Sequence, residues 1–117
     1  MPDRKYRLYL LDILDSGNAI LDYIKNVSFE EFSQDRKTYS AVIRELEIIG
    51  EAVGKLPEDM KRYHQYVEWQ NIKDFRNFLT HEYFGVDLEI VWNVIIYDLP
   101  DLLHAVQDLL HPSDCNS

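Results

Sequence analysis

Residues 76 to 83 read Arg76-Asn77-Phe78-Leu79-Thr80-His81-Glu82-Tyr83. An arginine supplies a permanent, planar cation for a phosphate. A histidine is the side chain best suited to moving protons near neutral pH. Together they suffice, in principle, for breaking a phosphodiester of RNA without a metal. The 2′-hydroxyl must lose a proton as it attacks phosphorus, and the leaving 5′ oxygen must gain one. Charge that builds on the non-bridging oxygens is opposed by a positioned guanidinium. In this scheme Arg76 is the stabiliser and His81 the base or acid, with Asn77 and Thr80 as positioning donors. The same residues also have a purely structural reading, since basic side chains in a last turn complement the helix dipole.

Geometry complicates the chemical reading. At about 100° per residue, Arg76 and His81 lie roughly 140° apart around an ideal helix axis. They share no face, unlike residues three or four apart. Two arrangements would bring both to one phosphate: a helix that ends near Thr80 and swings His81 around, or two copies of the segment meeting across a two-fold axis.

The elements that must position this segment read as helices throughout. Tyr6, Leu10, Ile13, Ile20, Leu21 and Ile24 mark a first helix over about 3–25, weakened locally by Gly17. Ser28-Phe29-Glu30-Glu31 has the form of a capping box and starts a short helix. Tyr39, Val42, Ile43, Leu46, Ile49 and Val53 make a stripe over 36–56, closed by Pro57. A short helix is expected around Glu58 to His64. A third main helix over 69–81 buries Trp69, Ile72, Phe75 and Leu79. Phe84-Gly85-Val86-Asp87 is turn-like, with Asp87 a candidate N-cap. The last helix starts near Leu88 and buries Val91, Trp92, Ile95, Leu99, Leu103, Val106 and Leu110. Pro100 lies inside it and should kink or break it after about Asp98. No useful period-two alternation appears, so no sheet is expected. The expected fold is an all-α, up-and-down bundle of four longer helices with one or two short ones.

Charge constrains the function. The 117 residues carry 12 basic and 21 acidic side chains, a formal charge of −9. Phosphate affinity comes chiefly from Lys and Arg, so a phosphate site here must be a local basic patch. All basic residues fall between Arg4 and Arg76, and residues 77–117 contain none. A two-fold assembly would double the local positive charge at the motif, which favours a homodimer. Cys115 is alone, so no intrachain disulfide forms and a reducing, cytoplasmic setting fits. No apolar run is long enough for a membrane span or a signal peptide.

Other constellations carry less. Asp98, Asp101, His104 and Asp108 are read as the solvated face of the last helix rather than a divalent-metal site. His64, His104 and His111 lack partners at zinc spacing, so no metal or cofactor is expected. Gly50 and Gly54 lie four apart on one helix face and imply close approach of another helix, within the chain or across a dimer seam. Arg44 and Glu51 share a stripe and either face the cleft or stand as exposed charges.

The spacing Arg-x4-His-x-Tyr resembles the signature of the HEPN superfamily, and within it the HepT-like toxins. Asp35-Arg36-Lys37-Thr38 leading to Ile43–Ala52 is similar to that family's second long helix. Phe84–Trp92 is similar to the stretch after its motif. The resemblance covers nearly the whole chain and implies one HEPN-like domain over 1–112, with 113–117 a flexible tail. It implies a homodimer whose paired motifs line a cleft, and metal-independent endoribonuclease activity with Arg76 and His81 catalytic. It further implies a toxin–antitoxin pairing with an MntA-like nucleotidyltransferase, whose transfer of AMP to Tyr83 silences the toxin. A bulky anion on Tyr83 would also repel RNA on elementary grounds, whereas a packed tyrosine with a bonded hydroxyl is the plain structural reading. Glu82 stands beside His81, and a neighbouring carboxylate raises a histidine's pKa and repels phosphate unless it points away. The fold does not by itself guarantee nuclease activity, so a non-catalytic helical module that partners a nucleotidyltransferase is the alternative reading. A scaffold in which Arg76 and His81 are structural is a third.

Overall fold

The computed structural model describes residues 4–81 and 87–111, without the side chains of Thr80 and His81. Glu82, Tyr83, residues 84–86 of the expected turn and residues 113–117 of the expected tail, Cys115 included, lie outside the described residues. The described chain is all helical, as the apolar periodicity requires. Its four longer helices are α1 (Arg4–Tyr23), α3 (Arg36–Lys55), α5 (Trp69–His81) and α7 (Leu99–Leu110). Between them lie the short α2 (Phe29–Gln34), α4 (Glu58–Lys61) and α6 (Leu88–Asn93). Among the described residues no helix is long and apolar enough to cross a membrane.

Local chemistry sets the boundaries. The Ser28 hydroxyl accepts from the Glu31 amide at 3.1 Å and the Glu31 carboxylate accepts from the Ser28 amide at 2.9 Å, completing the capping box. Asp35 ends α2 and caps α3, accepting from the Thr38 amide and hydroxyl. These two bonds hold its carboxyl below the usual range, the side-chain bond most strongly. Asp87 caps α6 by accepting from the Glu89 amide. Helix α4 is shorter than the expected Glu58–His64. Beyond Arg62 the chain turns through i,i+3 bonds, His64 to Lys61 and Val67 to His64. The Trp69 indole then donates to the His64 carbonyl at 2.9 Å.

The last helix is interrupted where Pro100 demands it. Proline has no amide to offer the carbonyl four residues back and its ring crowds that carbonyl. The chain responds with a π-helical turn over Val94–Asp98, in which the Leu99 amide reaches the Val94 carbonyl, and α7 starts with Pro100 in its first turn. Asp98 is left partly buried at this junction. Desolvation raises its carboxyl pKa most, with Glu68 and Asp101 adding repulsion.

The core runs along the seams of α1 with α3 and α7, and of α3 with α5. Leu10, Ile13, Ile20, Val42, Val53, Val91, Ala105 and Val106 are fully buried. Helix α2 is pinned by Phe32, also fully buried, whose ring meets Trp92 at 5.0 Å and Tyr39 at 6.4 Å between centroids. Leu21, one of the residues whose recurrence marked the first helix, is 41% exposed. Near the end of α1 the apolar stripe has drifted off the packed face, which Ile20 and Ile24 occupy.

Gly17 explains itself in three dimensions. A methyl group there would sit 2.4 Å from Cδ2 of Leu103, so its absence lets α7 close onto α1. Elsewhere His64 brings Nε2 to 3.5 Å from the Asp108 carboxylate, which His104 also approaches at 3.7 Å from one turn earlier on α7. Nδ1 of His64 is buried and makes no hydrogen bond among the described residues. His104 and Asp108 are both largely solvated.

Candidate active site

Helix α5 carries the motif because its apolar positions fix its rotation. Trp69, Ile72 and Leu79 are buried, with Phe75 partly so, and this turns Lys73, Arg76 and Asn77 toward the edge where α5 meets α3. At that edge α3 presents Gly50. A methyl group on Gly50 would lie 2.6 Å from Cβ of Arg76 and 3.5 Å from the Ile72 carbonyl oxygen. The close approach expected of Gly50 is therefore an intrachain one, and it seats the base of the Arg76 side chain directly on the α3 backbone. Gly54, one turn on, faces the Lys73 stem at 3.7–3.9 Å.

From this seat the Arg76 guanidinium reaches the Glu51 carboxylate, with Nη2 to Oε1 at 3.4 Å. Both side chains keep substantial exposure, 42% and 62%, so the pair is screened and exchangeable rather than a locked buried bridge. It orients the guanidinium without withdrawing it from solvent.

Arg76 and Glu51 stand between two depressions. One, toward α1, is lined by Asp12, Arg44, Glu47 and Glu51 together with Tyr9 and Arg76. Arg44 and Glu51 thus line one depression with Arg76 while both stay exposed, so each of the two arrangements considered for them is met in part. The other depression follows the α3–α5 seam and is lined by Gly50, Glu51, Gly54, Lys55, Lys73, Arg76 and Asn77. Among the described residues, three carboxylates face two cations in the first, and three cations face one carboxylate in the second. In a chain of charge −9, the seam is the side on which an anion is attracted.

Arg76 and Asn77 are therefore brought together on one groove. Thr80 and His81 follow in the last turn of α5, their side chains outside the described residues, and Tyr83 lies beyond. Helix α5 stays helical through His81. Its His81 side chain lies outside the described residues, so both arrangements considered for Arg76 and His81 stay open. The apolar stripe of α5 extends to Leu79 and holds the last turn in register against the core. Lys55 and Lys73 were not legible as site residues in the sequence, and Glu51 was legible as a cleft candidate but not as the partner of Arg76. Lys73 had a usable signal, its i,i+3 relation to Arg76; Lys55 and Glu51 come from another helix.

Residues 13–109 match the family model described as Ribonuclease HepT-like. The chain belongs to the HepT-like ribonuclease family. It is 39% identical over 110 residues to a protein of Methanocaldococcus jannaschii named as a candidate RNase, an alignment covering 94% of this chain and 91% of the relative. It is 40% identical over 104 residues to a similarly named protein of Caldanaerobacter subterraneus subsp. tengcongensis, covering 89% and 93%. A probable ribonuclease HepT of Thermococcus cleftensis is 41% identical over 99 residues, covering 85% and 90%. No solved structure matches the chain significantly. The HepT-like match spans α5 and the α3 segment that seats Arg76, so the groove lies inside the region that defines the family.

Proposed function

We propose that this protein is a metal-independent endoribonuclease that works as a homodimer, with Arg76 and His81 as its catalytic pair. Membership of the HepT-like ribonuclease family, with Arg76 held at a solvent-open groove by Gly50 and Glu51, is the observation that carries this reading. One imidazole removes the 2′-hydroxyl proton as that oxygen attacks phosphorus, and an imidazolium returns a proton to the departing 5′ oxygen. The products are a 2′,3′-cyclic phosphate and a 5′-hydroxyl. Arg76 opposes the charge on the non-bridging oxygens, while Asn77 and Thr80 orient the phosphate. Because α5 continues through His81, one helix holds Arg76 and His81 about 140° apart. A second copy facing the first is the natural way for both residue types to reach one phosphate.

In this reading the enzyme is a cytoplasmic toxin. Its antitoxin is an MntA-like nucleotidyltransferase that places AMP on Tyr83, adding a bulky anion where RNA phosphate would bind. The test is expression of the chain alone in bacteria beside Arg76→Ala and His81→Ala, scoring growth and total RNA. Growth arrest with RNA loss in the parent, absent in both variants and unaffected by chelator in the purified enzyme, is the expected result. Equal growth of all three, with folded protein, would replace the nuclease by the non-catalytic module that partners a nucleotidyltransferase.

A further inference from the structure

The seam between α3 and α5 extends beyond Arg76. Gly54 has no side chain, and the methylene stem of Lys73 lies over it, with Cε, Cδ and Cγ within 3.7–3.9 Å of where a Cβ would stand. Lys55, the residue after Gly54 and the last of α3, lines the same groove as Lys73. Both lysines are exposed, and among the described residues neither makes an ion pair. Among the described residues, the groove they line with Arg76 and Asn77 has no aromatic side chain. It offers charge to a phosphate chain and no stacking platform to bases. Toward α1, Asp12 and Glu47 oppose the same ligand.

We infer that Lys55 and Lys73 form a phosphate-binding track that leads the RNA backbone from Arg76 along the α3–α5 seam. The strand leaves the reacting phosphate on the lysine side and avoids the acidic depression beside α1. The track holds the backbone without reading sequence. This inference rests on the ribonuclease reading above.

The experiment uses the full chain and a fluorescein-labelled single-stranded RNA with every 2′-hydroxyl methylated, which binds but cannot be cut. Binding is followed by anisotropy across a salt series, and cleavage of the unmodified oligonucleotide is followed in parallel. Lys55→Glu/Lys73→Glu is compared with Lys55→Gln/Lys73→Gln, which keeps the stem length and removes the charge, and with Lys25→Glu, a single charge reversal at an exposed position outside the groove. In the track, the Gln pair lowers the slope of log K against log salt by about 1.4, at about 0.7 per phosphate contact. The Glu pair weakens binding about tenfold or more. In cleavage the loss falls on KM rather than kcat. If the parent binds and cuts RNA while both pairs match Lys25→Glu, the track is wrong and the nuclease stands. If the parent neither binds nor cuts, the ribonuclease reading and the track fail together.

Discussion

Replacing Gly50 with alanine tests the packing that sets Arg76 in place. The new Cβ would stand 2.6 Å from Cβ of Arg76, whereas ordinary contacts begin at 3.4 Å, so one helix must retreat by about 0.8 Å. The opposing atom is fixed to the α5 backbone and cannot swing aside. Overpacking of this kind costs about 1–3 kcal/mol, against a helix-propensity gain of up to about 1 kcal/mol for removing an interior glycine. The net is a loss of roughly 0–2 kcal/mol. Gly54→Ala is the internal control: its Cβ meets the Lys73 stem at 3.7 Å or more. It should therefore gain about 0.5 kcal/mol, less than an interior site because it lies in the last turn of α3. For 117 residues one kcal/mol corresponds to about 4 °C in Tm. Thermal denaturation should place Gly50→Ala below Gly54→Ala by about 2–10 °C. On the ribonuclease reading, Gly50→Ala should also lose cleavage, since misplacing a catalytic group by about 1 Å costs up to about 100-fold. A Gly50→Ala protein as stable as Gly54→Ala would refute the close approach and the seating of Arg76 derived from it.

Other perturbations follow from the same geometry. Asp98 has its pKa raised on folding, so the native state binds more protons than the unfolded chain and loses stability as pH rises through that window. Asp98→Asn should therefore raise Tm more at pH 7 than at pH 3, as differential scanning calorimetry at both values will show. Asp35 is the opposite case: its lowered pKa gives stability that is present above the unfolded value and lost as pH falls through the folded one. Asp35→Ala should lower helicity by circular dichroism at neutral pH and shrink the acid-induced loss. Phe32→Ala removes a fully buried ring that ties α2 to α3 and α6. It should cost about 3–5 kcal/mol in urea unfolding, and a loss under 1 kcal/mol would mean that α2 is not anchored there.

Much of the helical plan is local and was legible in the residues. Stripes at three- and four-residue spacing located α1, α3 and α5, because an amphipathic helix must bury one face. Ser28 and Asp87 marked starts because short polar side chains satisfy first-turn amides; Asp35 does the same for α3 in the structure. Pro100 announced a break, although not that a π-helical turn would absorb it. Arg76 and His81 were conspicuous by residue type and spacing alone. Tertiary structure decided what each side chain meets. Gly50 and Gly54 signalled a close approach, but only the packing of α5 onto α3 named Arg76 and Lys73 as the opposing residues. Glu51 lies 25 positions from Arg76 and Lys55 18 from Lys73, and no helical periodicity relates residues on different helices. Periodicity and caps act within a few residues, whereas a groove is made where two helices meet. The sequence by itself therefore determined the helices and the chemical residue types, and the crossing of α3 with α5 decided which charges surround Arg76.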